Sequence, residues 1–428
     1  MSNLRVLVVG ASIAGPSTAY WLAKAGAKVT VIERFPELRK GGQAIDIRTV
    51  GVTTMRKMGD MEAQVQANKA PIEGLAFVRE NGRPYGVIGS TGDSDQQSLL
   101  SEYEIFRGDL SRILYDKTND NPNISYVFGE QIASLQHDEK NNGPIKVGFA
   151  NRLPPAEYDL VVACDGATSR TRALGLGIGL RDHTRRLNIW AAYFSTKHDY
   201  VDGSKIGHAY NAAPGKVVAV QTAPEHEGGN RVVVMRMFPR DGKDHTLPFR
   251  DAQQAGDEVL KKHVREELDG MGWIVPQLMR EDMDAADDFY ASEWIQVNPP
   301  TLSKGRFTMV GDAGYGGAPG AGTSLALAGG YVLAGELSQS RGDVAAGLKA
   351  YEDRIRPIFE DMHKLPPGGV SFMAPQTKWG LALRNFFFAF LARSGLITFM
   401  QKVWGRFEGA FASSDKYPLP DYKFDGRL

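Results

Sequence analysis

Short apolar runs, glycine-rich turns and amphipathic stretches alternate in the first part of the chain. Leu4 to Val9 is apolar and rich in β-branched residues, Ala14 to Ala25 repeats apolar residues with helical spacing, and Val29 to Ile32 is apolar again. A strand, a turn, a helix and a second strand within about 30 residues form the parallel unit that opens a nucleotide-binding sheet. The pattern therefore predicts an α/β fold that begins with a nucleotide-binding domain.

The region from about Arg181 to Asp284 has a different pattern. Three β-rich runs are separated by stretches rich in Gly, Pro, Asn and Asp, and they cover Ile189 to Ser195, Val217 to Thr222 and Arg231 to Phe238. Such runs indicate antiparallel strands, here inserted between portions of the nucleotide domain. One helix is expected within this region, from about Asp251 to Leu268, with one apolar face formed by Val259, Leu260, Val264 and Leu268.

Size and charge restrict the class of protein. The 428 residues exceed what one hydrophobic core usually supports, so two domains, or one domain with a large insertion, are expected. Lys plus Arg and Asp plus Glu both number 50, which gives no overall charge to attract nucleic acid or an anionic membrane and favours a small-molecule partner. The one cysteine, Cys164, follows Val161-Val162-Ala163 and is expected to be a buried strand residue. It fits a reducing compartment, and we expect a cytoplasmic location.

One apolar stretch near the C-terminus, Leu381 to Met400, is long enough to suggest a membrane span. Arg384 and Arg393 lie within it, which argues against a helix that crosses a bilayer. We expect a helix packed on the body of the protein, in a helical section that begins near Gly369. A peripheral membrane contact is the alternative, and the sequence favours it less.

The first chemical motif is the turn Gly10-Ala11-Ser12-Ile13-Ala14-Gly15, which lies between the first strand and the first helix. In such a turn, backbone N–H groups and the helix N-terminus point at a pyrophosphate, and Gly15 lets helix and strand pack closely. Glu33, followed by Arg34, ends the next strand and is placed to bind ribose hydroxyls. Ser12 stands where the pattern expects glycine. The turn predicts a dinucleotide without deciding between NAD and FAD.

A second glycine-rich turn decides in favour of FAD. Phe307 to Val310 is an apolar strand that leads into Gly311-Asp312-Ala313, and Pro319-Gly320-Ala321-Gly322-Thr323 then opens a long helical stretch. An aspartate just after a buried strand can reach the ribityl hydroxyls of a flavin. The partial positive charge of the following helix N-terminus would stabilise the anionic reduced ring. Simple dehydrogenases do not need this second turn.

Two further segments carry charge beside predicted strand ends. They are Asp165-Gly166-Ala167-Thr168-Ser169-Arg170, after the strand Leu160 to Ala163, and Glu104-Ile105-Phe106-Arg107-Gly108-Asp109. Each alone fits a surface turn or a helix start as well as it fits a cofactor contact. The histidines are scattered, with no spacing typical of a metal site.

Together, these motifs resemble the single-component FAD-dependent aromatic hydroxylases of the p-hydroxybenzoate hydroxylase type. The sequence is most similar to the tetracycline-inactivating and secondary-metabolite branches, over roughly residues 4–375. The resemblance implies that Arg107 contacts FAD, that Asp312 binds the ribityl chain and that Asp165 takes part in both FAD and NAD(P)H binding. It also implies, through Arg39-Lys40-Gly41-Gly42-Gln43-Ala44-Ile45-Asp46, that Arg39 meets NADPH and Asp46 meets FAD.

The resemblance implies a discontinuous doubly wound FAD domain that carries a mainly antiparallel substrate sheet. We expect the FAD domain at residues 1–70, 101–180 and 285–375, the substrate domain at 71–100 and 181–284, and a C-terminal helical section at 376–428. The implied reaction uses NAD(P)H, with NADPH favoured, to reduce FAD. Reduced FAD and O2 then form a C4a-hydroperoxide that oxygenates an aromatic, phenolic or polyketide-like molecule. The sequence departs from the family where Gly314 and Tyr315 follow Gly311-Asp312-Ala313 in place of Ala-His.

Substrate contacts are expected from the inserted sheet, where polar and aromatic residues lie in or beside β-rich runs. The candidates are Tyr193, His208, Tyr210, Gln221, Arg236 and Phe238. Because side chains alternate along a strand, about half of them should face away from the pocket. Arg236 is the preferred candidate, since it lies among apolar residues and a phenolate-like substrate would favour a cation.

Three other functions share the cofactor motifs. A flavin halogenase is disfavoured, because Trp273-Ile274-Val275-Pro276 does not supply the Trp-x-Trp-x-Ile-Pro stretch of that class. A flavin reductase or dehydrogenase would use the same motifs without inserting oxygen. A flavin-binding protein without catalytic activity is the third alternative. Uptake of O2 on addition of NADPH and the mass of the product distinguish these functions.

Overall fold

The fold was described from a computed structural model, which covers residues 4–38, 42–89, 101–138, 143–223, 229–341, 343–364, 372–394 and 416–424. The strands in chain order are β1 Arg5–Val9, β2 Lys28–Glu33, β3 Ala44–Asp46, β4 Gly74–Val78, β5 Pro84–Gly89, β6 Glu104–Phe106, β7 Ile124–Phe128, β8 Ile132–Asp138, β9 Gly143–Phe149, β10 Ala156–Tyr158, β11 Leu160–Ala163, β12 Thr184–Thr196, β13 Ile206–Ala212, β14 Lys216–Thr222, β15 Asn230–Met237, β16 Tyr290–Val297, β17 Ser303–Lys304 and β18 Phe307–Met309.

Helices occupy both domains. In chain order they are α1 Ala14–Lys24, α2 Val50–Arg56, α3 Met61–Ala67, α4 Arg107–Asp116, α5 Arg170–Leu176, α6 Leu247–Ala255, α7 Asp257–Glu267, α8 Val275–Gln277, a π-helical turn Leu278–Asp282, α9 Met283–Ala285, α10 Asp312–Tyr315, α11 Gly322–Gln339, α12 Val344–Met362 and α13 Lys378–Arg393.

The nucleotide domain is built on a six-stranded sheet with the order β17-β18-β11-β1-β2-β7. The neighbours β18, β11, β1, β2 and β7 pair in parallel, and only β17 is antiparallel. β1 and β11 are buried along almost their whole length, as their continuous apolar sequences require in a sheet covered on both faces. The α1 and α11 helices pack against each other beside this sheet. This arrangement confirms the expected doubly wound fold.

The second domain is a seven-stranded, mainly antiparallel sheet with the order β16-β12-β15-β14-β13-β4-β5. Its β16 strand pairs with β12 from Thr184 to Tyr193. The expected boundary after residue 284 therefore has to move, because Tyr290–Val297 belongs to the substrate sheet. One face of this sheet is covered by α6, α7 and the helical turns that follow, around a core that includes Trp190, Phe249 and Val264.

The helix expected from Asp251 to Leu268 is two helices in the structure. Gly256 interrupts them with φ +109° and ψ 170°, a conformation that no helix contains. In α7, Leu260 and Val264 are buried, whereas Val259 is 46% exposed. Leu260, Val264 and Leu268 follow one another at four-residue intervals on the buried face, whereas Val259 lies about 100° around the helix from Leu260 and was wrongly assigned to that face.

The C-terminal part is helical only in α13, among the residues described. Residues 416–424 run back without regular structure and pack on the FAD domain, where the hydroxyl of Tyr331 donates to the carbonyl of Pro420 and Tyr422 donates to Glu336. The expectation of a helical section over all of 376–428 is wrong for these last residues. None of the helices in the described ranges combines the length and apolar character that a membrane span requires.

Candidate functional site

The turn after β1 has no room for side chains at its two outer glycines. Gly10 has φ +109°, and a Cβ there would lie 2.7 Å from the carbonyl oxygen of Cys164. A Cβ at Gly15 would lie 1.8 Å from the carbonyl oxygen of Gly10. α1 follows directly, with Ile13 as its N-cap and no side-chain cap, and Ala14 begins the helix. The uncapped helix end and the close turn suit a pyrophosphate.

Glu33 lies at the end of β2 and faces this turn. One carboxylate oxygen accepts a hydrogen bond from the backbone N–H of Ala11 at 2.9 Å, and the other accepts from Phe35 N–H at 3.1 Å. The adjacent Arg34 is exposed, and its guanidinium lies over the ring of Phe35. The strand therefore delivers Glu33 to the place expected for a ribose ligand, with Arg34 at the rim.

The second turn comes against the first at Gly311. This residue has φ +69° and ψ −146°, and a Cβ there would lie 2.9 Å from the Cβ of Ala14. α11 begins nearby, and no side chain caps its N-terminus at Ala321. Its first turn, at Gly322 and Thr323, therefore also carries the partial positive charge of an uncapped helix N-terminus. A Cβ on Gly322 would lie 3.4 Å from the Asp312 carboxylate. Two helix N-termini and one carboxylate therefore converge.

Asp312 lines an open cleft among these elements. Its side chain is exposed, yet the surrounding protein desolvates the carboxylate and raises its pKa, against the opposing charges of Arg107 and His363. A group that solvent reaches while protein surrounds it is a wall of a concave site. Pro319 is half-buried in the loop between Asp312 and α11. The role of Asp312 as a ribityl ligand stays a prediction.

Arg107 joins the first turn to the loop at residues 42–44. Its guanidinium donates to the hydroxyl of Ser12 at 3.3 Å, and its backbone N–H donates to the carbonyl of Gln43 at 3.0 Å. A Cβ at Gly42 would lie 3.2 Å from the Cβ of Arg107. The serine that replaces the middle glycine of the motif thus has a definite contact in this chain, with the arginine expected to touch FAD.

Asp46 lies beside a buried arginine and a second carboxylate that the sequence reading missed. The Arg48 guanidinium donates to Asp46 from Nε at 3.2 Å and from Nη2 at 3.1 Å. Asp46 pairs with Glu104 across β3 and β6, and burial, then the charge of Asp46, raises the pKa of Glu104 to about 8. Burial also raises the pKa of Asp46, against Arg48. The backbone N–H of Arg48 donates to Ser324 in α11, which ties this cluster to the second turn.

For two other candidate residues, Asp165 and Arg39, the structure gives less information about a cofactor role. The Asp165 carboxylate accepts from the hydroxyls of Ser169 and Thr171 and from the backbone N–H of Thr171, so it organises the start of α5. Burial raises the pKa of Asp165, and these hydrogen bonds oppose that shift. Its cofactor role remains a prediction. Arg39, the candidate for NADPH contact, lies outside the residues that the structure describes.

A cavity of about 190 Å³ lies between the substrate sheet and the loop that contacts Arg107. Its lining consists of Gly42, Gln43, Ala44, Tyr193, Phe194, Gln221, Arg231, Val232, Val233, Asp287, Asp288, Phe289 and Tyr290. The structure therefore brings two of the sequence candidates, Tyr193 and Gln221, to a pocket that adjoins the residues assigned to FAD.

Arg236 does not line this cavity. It lies on the opposite face of β15, donates to Glu267 from Nε at 2.9 Å and lies over the ring of Phe238. Tyr210 and His208 share that face and contact Trp273. The expectation that Arg236, Tyr210, His208 and Phe238 contact substrate is corrected here, because the two-residue alternation of the strands turns them toward α6 and α7.

Arg231 takes the position that the sequence reading gave to Arg236. It is five positions earlier on the same strand, an odd number, so its side chain emerges on the cavity face. It is 7% exposed and donates to Asp288 at 2.7 Å, while Asp288 also accepts from the hydroxyl of Ser195 at 2.6 Å. Tyr193 pairs with Val233 in the neighbouring strand, and Arg231, two residues before Val233, lies on the same face of the sheet. Arg231 could have been identified from the sequence only if this strand pairing had been known.

Tyr193 stands between the cavity and the FAD-site residues. Its ring stacks on Tyr290 with centroids 6.0 Å apart. Burial raises the pKa of Tyr193 to about 12, although a hydrogen bond donated by the indole N–H of Trp294 and the charge of Arg107 act in the other direction. At neutral pH the hydroxyl therefore keeps its proton and is able to donate it in a hydrogen bond.

Comparison with known proteins indicates FAD, the cofactor that the geometry of this site also fits. The profile of the family described as "FAD binding domain" matches residues 3–364, which is most of the chain. The chain belongs to this family. It is 31% identical to the flavin-dependent monooxygenase eupH of Phoma sp., over 99% of this chain and 98% of that protein. It is 30% identical to the FAD-dependent monooxygenase asL4 of Sarocladium schorii, over 92% and 93%.

Solved structures agree on the architecture of this FAD-dependent monooxygenase. The tetracycline destructase Tet(51) is 25% identical and superposes with a TM-score of 0.75, over 98% of this chain and 100% of that one. The Klebsiella pneumoniae protein HpxO, solved in complex with FAD and uric acid, is 20% identical with a TM-score of 0.66, over 93% and 96%. The second likeness concerns the fold alone. Both relatives and structures confirm the suspected family.

Proposed function

We propose that this monooxygenase uses NAD(P)H, with NADPH preferred, and O2 to hydroxylate a small phenolic or related aromatic or polyketide-like molecule. The observation that carries the proposal is the position of the cavity, which lies between the substrate sheet and the 42–44 loop held by Arg107. Bound FAD supplies the redox chemistry by accepting electrons from the nicotinamide and activating O2. The reducing cytoplasm is our proposed location.

The residues on the page fit FAD as the group held beside the cavity. Gly10 and Gly15 allow the close turn that presents backbone N–H groups and the α1 N-terminus to a pyrophosphate, and Glu33 would bind the ribose. Asp312 lines a cleft at the start of α11, where a ribityl chain would find an acceptor and a flavin ring would meet a helix N-terminus. These residues position the cofactor, and the sheet positions the substrate.

The cavity lining favours a compact aromatic substrate with an oxygen substituent. The stacked rings of Tyr193 and Tyr290 give this lining its aromatic surface, whereas the rings of Phe194 and Phe289 pack toward the core under α6 and α7. A volume of about 190 Å³ is below the range typical of pockets for drug-sized ligands, which favours one or two rings over four. The protonated Tyr193 hydroxyl is available to bind a phenol or carbonyl oxygen.

Arg231 gives this wall a cation, and Asp288 holds its orientation. Because Asp288 also accepts from Ser195, the guanidinium is fixed from one side. Arg231 would favour the ionised form of a phenol or enol, and this anion is more electron-rich than the neutral form, which makes it the state that an electrophilic oxygen attacks. The sheet therefore binds and orients the substrate and excludes water from the reacting ring.

The experiment that tests the proposal is a screen of one- and two-ring phenols for stimulation of NADPH and NADH oxidation by the FAD-loaded enzyme. The expected result is stimulated oxidation with consumption of O2 and a product heavier by one oxygen atom. Oxidation of NADPH with a reduced product and no O2 consumption would instead indicate a reductase.

A further inference from the structure

The C-terminal helix α13 presents its apolar side chains to solvent and turns its arginine inward. Five large side chains are spaced along one face, and we call them the outer stripe: Trp379, Leu383, Phe386, Phe387 and Phe390. Trp379 is 77% exposed and Phe386 is 67% exposed. By contrast, Arg384 is buried and its guanidinium lies 4.5 Å above the ring of Phe77. The helix thus carries large apolar side chains on its exposed face, where a helix that only covers a core carries polar ones.

The inner face of α13 is committed to the substrate sheet. Phe388 is buried and meets Phe77 edge to face, with ring centroids 4.9 Å apart. A Cβ added to Gly86 in β5 would lie 2.3 Å from the Cβ of Ala392. The helix and the strand are therefore in close contact, so the outer stripe cannot be buried by rotating α13 without losing this packing.

The charge of the sequence segment that contains α13 indicates what covers the outer stripe. From Met362 to Phe407 the sequence has no Asp or Glu, but it has six Lys or Arg residues, of which Arg384 is buried and Lys364 is paired with Asp361. The whole chain has equal numbers of acidic and basic residues, so this segment is a local exception. A stripe of Trp, Phe and Leu within a cationic segment that lacks acids is the composition of a helix that lies on an anionic bilayer surface.

We propose that the outer stripe docks this enzyme on anionic lipid membranes, with α13 lying in the interfacial plane and not crossing it. A second copy of the chain is a poorer occupant, because a symmetric contact would place the same acid-free segments of both copies together and like charges would repel. Trp379, at the start of the helix and beside the exposed Lys378, is suited to the headgroup region. This surface is separate from the cavity and does not depend on the proposed reaction.

Sedimentation with lipid vesicles tests this surface on the full-length, FAD-loaded enzyme. The probes are vesicles of phosphatidylcholine alone and of phosphatidylcholine with phosphatidylglycerol. The variant Trp379→Ser, Phe386→Ser, Phe390→Ser removes part of the outer stripe. The matched control, Leu180→Ser, Leu247→Ser, Val259→Ser, removes three exposed apolar side chains elsewhere. Flavin absorbance and the melting temperature verify that each variant is folded.

The expected result is binding to the phosphatidylglycerol vesicles that weakens as salt rises. Binding should fall by about tenfold or more in the outer-stripe variant and stay at the wild-type level in the control. Absence of binding, equal binding by both variants, or equal binding to uncharged vesicles would overturn the proposal. So would a lipid-free dimer that the outer-stripe variant converts to monomer, because a second copy would then be the occupant.

Discussion

At the scale of single residues, Glu33 and Arg107 are the side chains whose removal should most directly weaken FAD retention. Glu33→Ala and Arg107→Ala should each cost about 1–3 kcal/mol of FAD binding free energy, the usual loss for a hydrogen bond to a charged group. Arg112→Ala is the matched control, since Arg112 is exposed on the same helix as Arg107. Quenching of flavin fluorescence on titration into the apoprotein measures all three. Unchanged affinity in both variants would assign these residues purely structural roles.

Glu104 should make the stability of the apoprotein depend on pH. Its folded pKa of about 8 lies above the value of about 4.3 for an unfolded Glu. Between these values the folded chain holds a proton that the unfolded chain has released, so stability falls as pH rises and the loss is complete above the folded pKa.

Glu104→Gln should therefore gain stability relative to wild type as pH rises from 5 to 9. The expected gain is on the order of 1 kcal/mol or more, after allowance for partial solvent screening. Urea unfolding of both apoproteins at several pH values provides the measurement. Parallel curves for the two proteins would mean that Glu104 titrates normally.

At this scale, the sequence identifies candidates where one short motif carries the residue. Gly10, Gly15, Glu33 and Asp312 belong to such motifs, and their contacts with FAD stay predictions. Arg48 and Glu104 were missed because their importance comes from the pairing of β3 with β6, whose strands lie far apart in the sequence. No local pattern predicts which carboxylates a long-range strand pairing will bring together.

At the scale of elements, the close approach of α1 and the second glycine turn is the most sensitive contact in the cofactor site. Gly311→Ala should place a Cβ 2.9 Å from Ala14 and so separate the two helix N-termini. Gly59→Ala is the control, because Gly59 has the same φ of +69° but nothing within 4 Å of an added Cβ. We expect the Gly311 variant to lose FAD on gel filtration, while the Gly59 variant keeps it. Equal retention would show that the site tolerates the extra atom.

Strand alternation in β15 gives a second prediction at this scale. Arg231→Met should lower substrate-stimulated NADPH oxidation by roughly tenfold or more, because it removes the cation of the cavity wall. Arg236→Met, on the other face, should leave that oxidation near the wild-type level and mainly affect stability through Glu267. Steady-state kinetics with the best phenol from the screen compares them. The reverse order of effects would place the substrate on the α6 and α7 face.

Elements themselves were predicted well where their hydrophobic pattern was strong. The three runs assigned to the inserted sheet match β12, β14 and β15 closely, and the strand–turn–helix–strand opening matches β1, α1 and β2. The helix from Asp251 to Leu268 failed at Gly256, since an isolated glycine within a helical pattern does not reveal its φ. The prediction that Arg236 contacts substrate failed because a strand's sequence shows which residues share a face but not which face meets the cavity.

At the scale of the whole molecule, the FAD domain and the substrate sheet enclose the cavity between them. An FAD domain made of separate chain segments was expected, but β16 was assigned to that domain instead of the substrate domain. The assignment failed because the pairing of β16 with β12 is a long-range contact that the sequence does not show. The closing segment 416–424 was also unforeseen, as Tyr422 and its contact with Glu336 depend on where the chain returns. The fold and the cofactor could thus be predicted from the sequence, whereas the residues that line the cavity could be identified only from the structure.

The central claim is that this enzyme transfers one oxygen atom from O2 to a small aromatic substrate. The most direct measurement is the mass of the product formed by the FAD-loaded enzyme with NADPH, heavy-isotope O2 and the phenol that best stimulates NADPH oxidation. The account predicts a product that carries one heavy oxygen atom for each NADPH consumed with tight coupling. A product without the label, or with oxygen derived from labelled water, would contradict it.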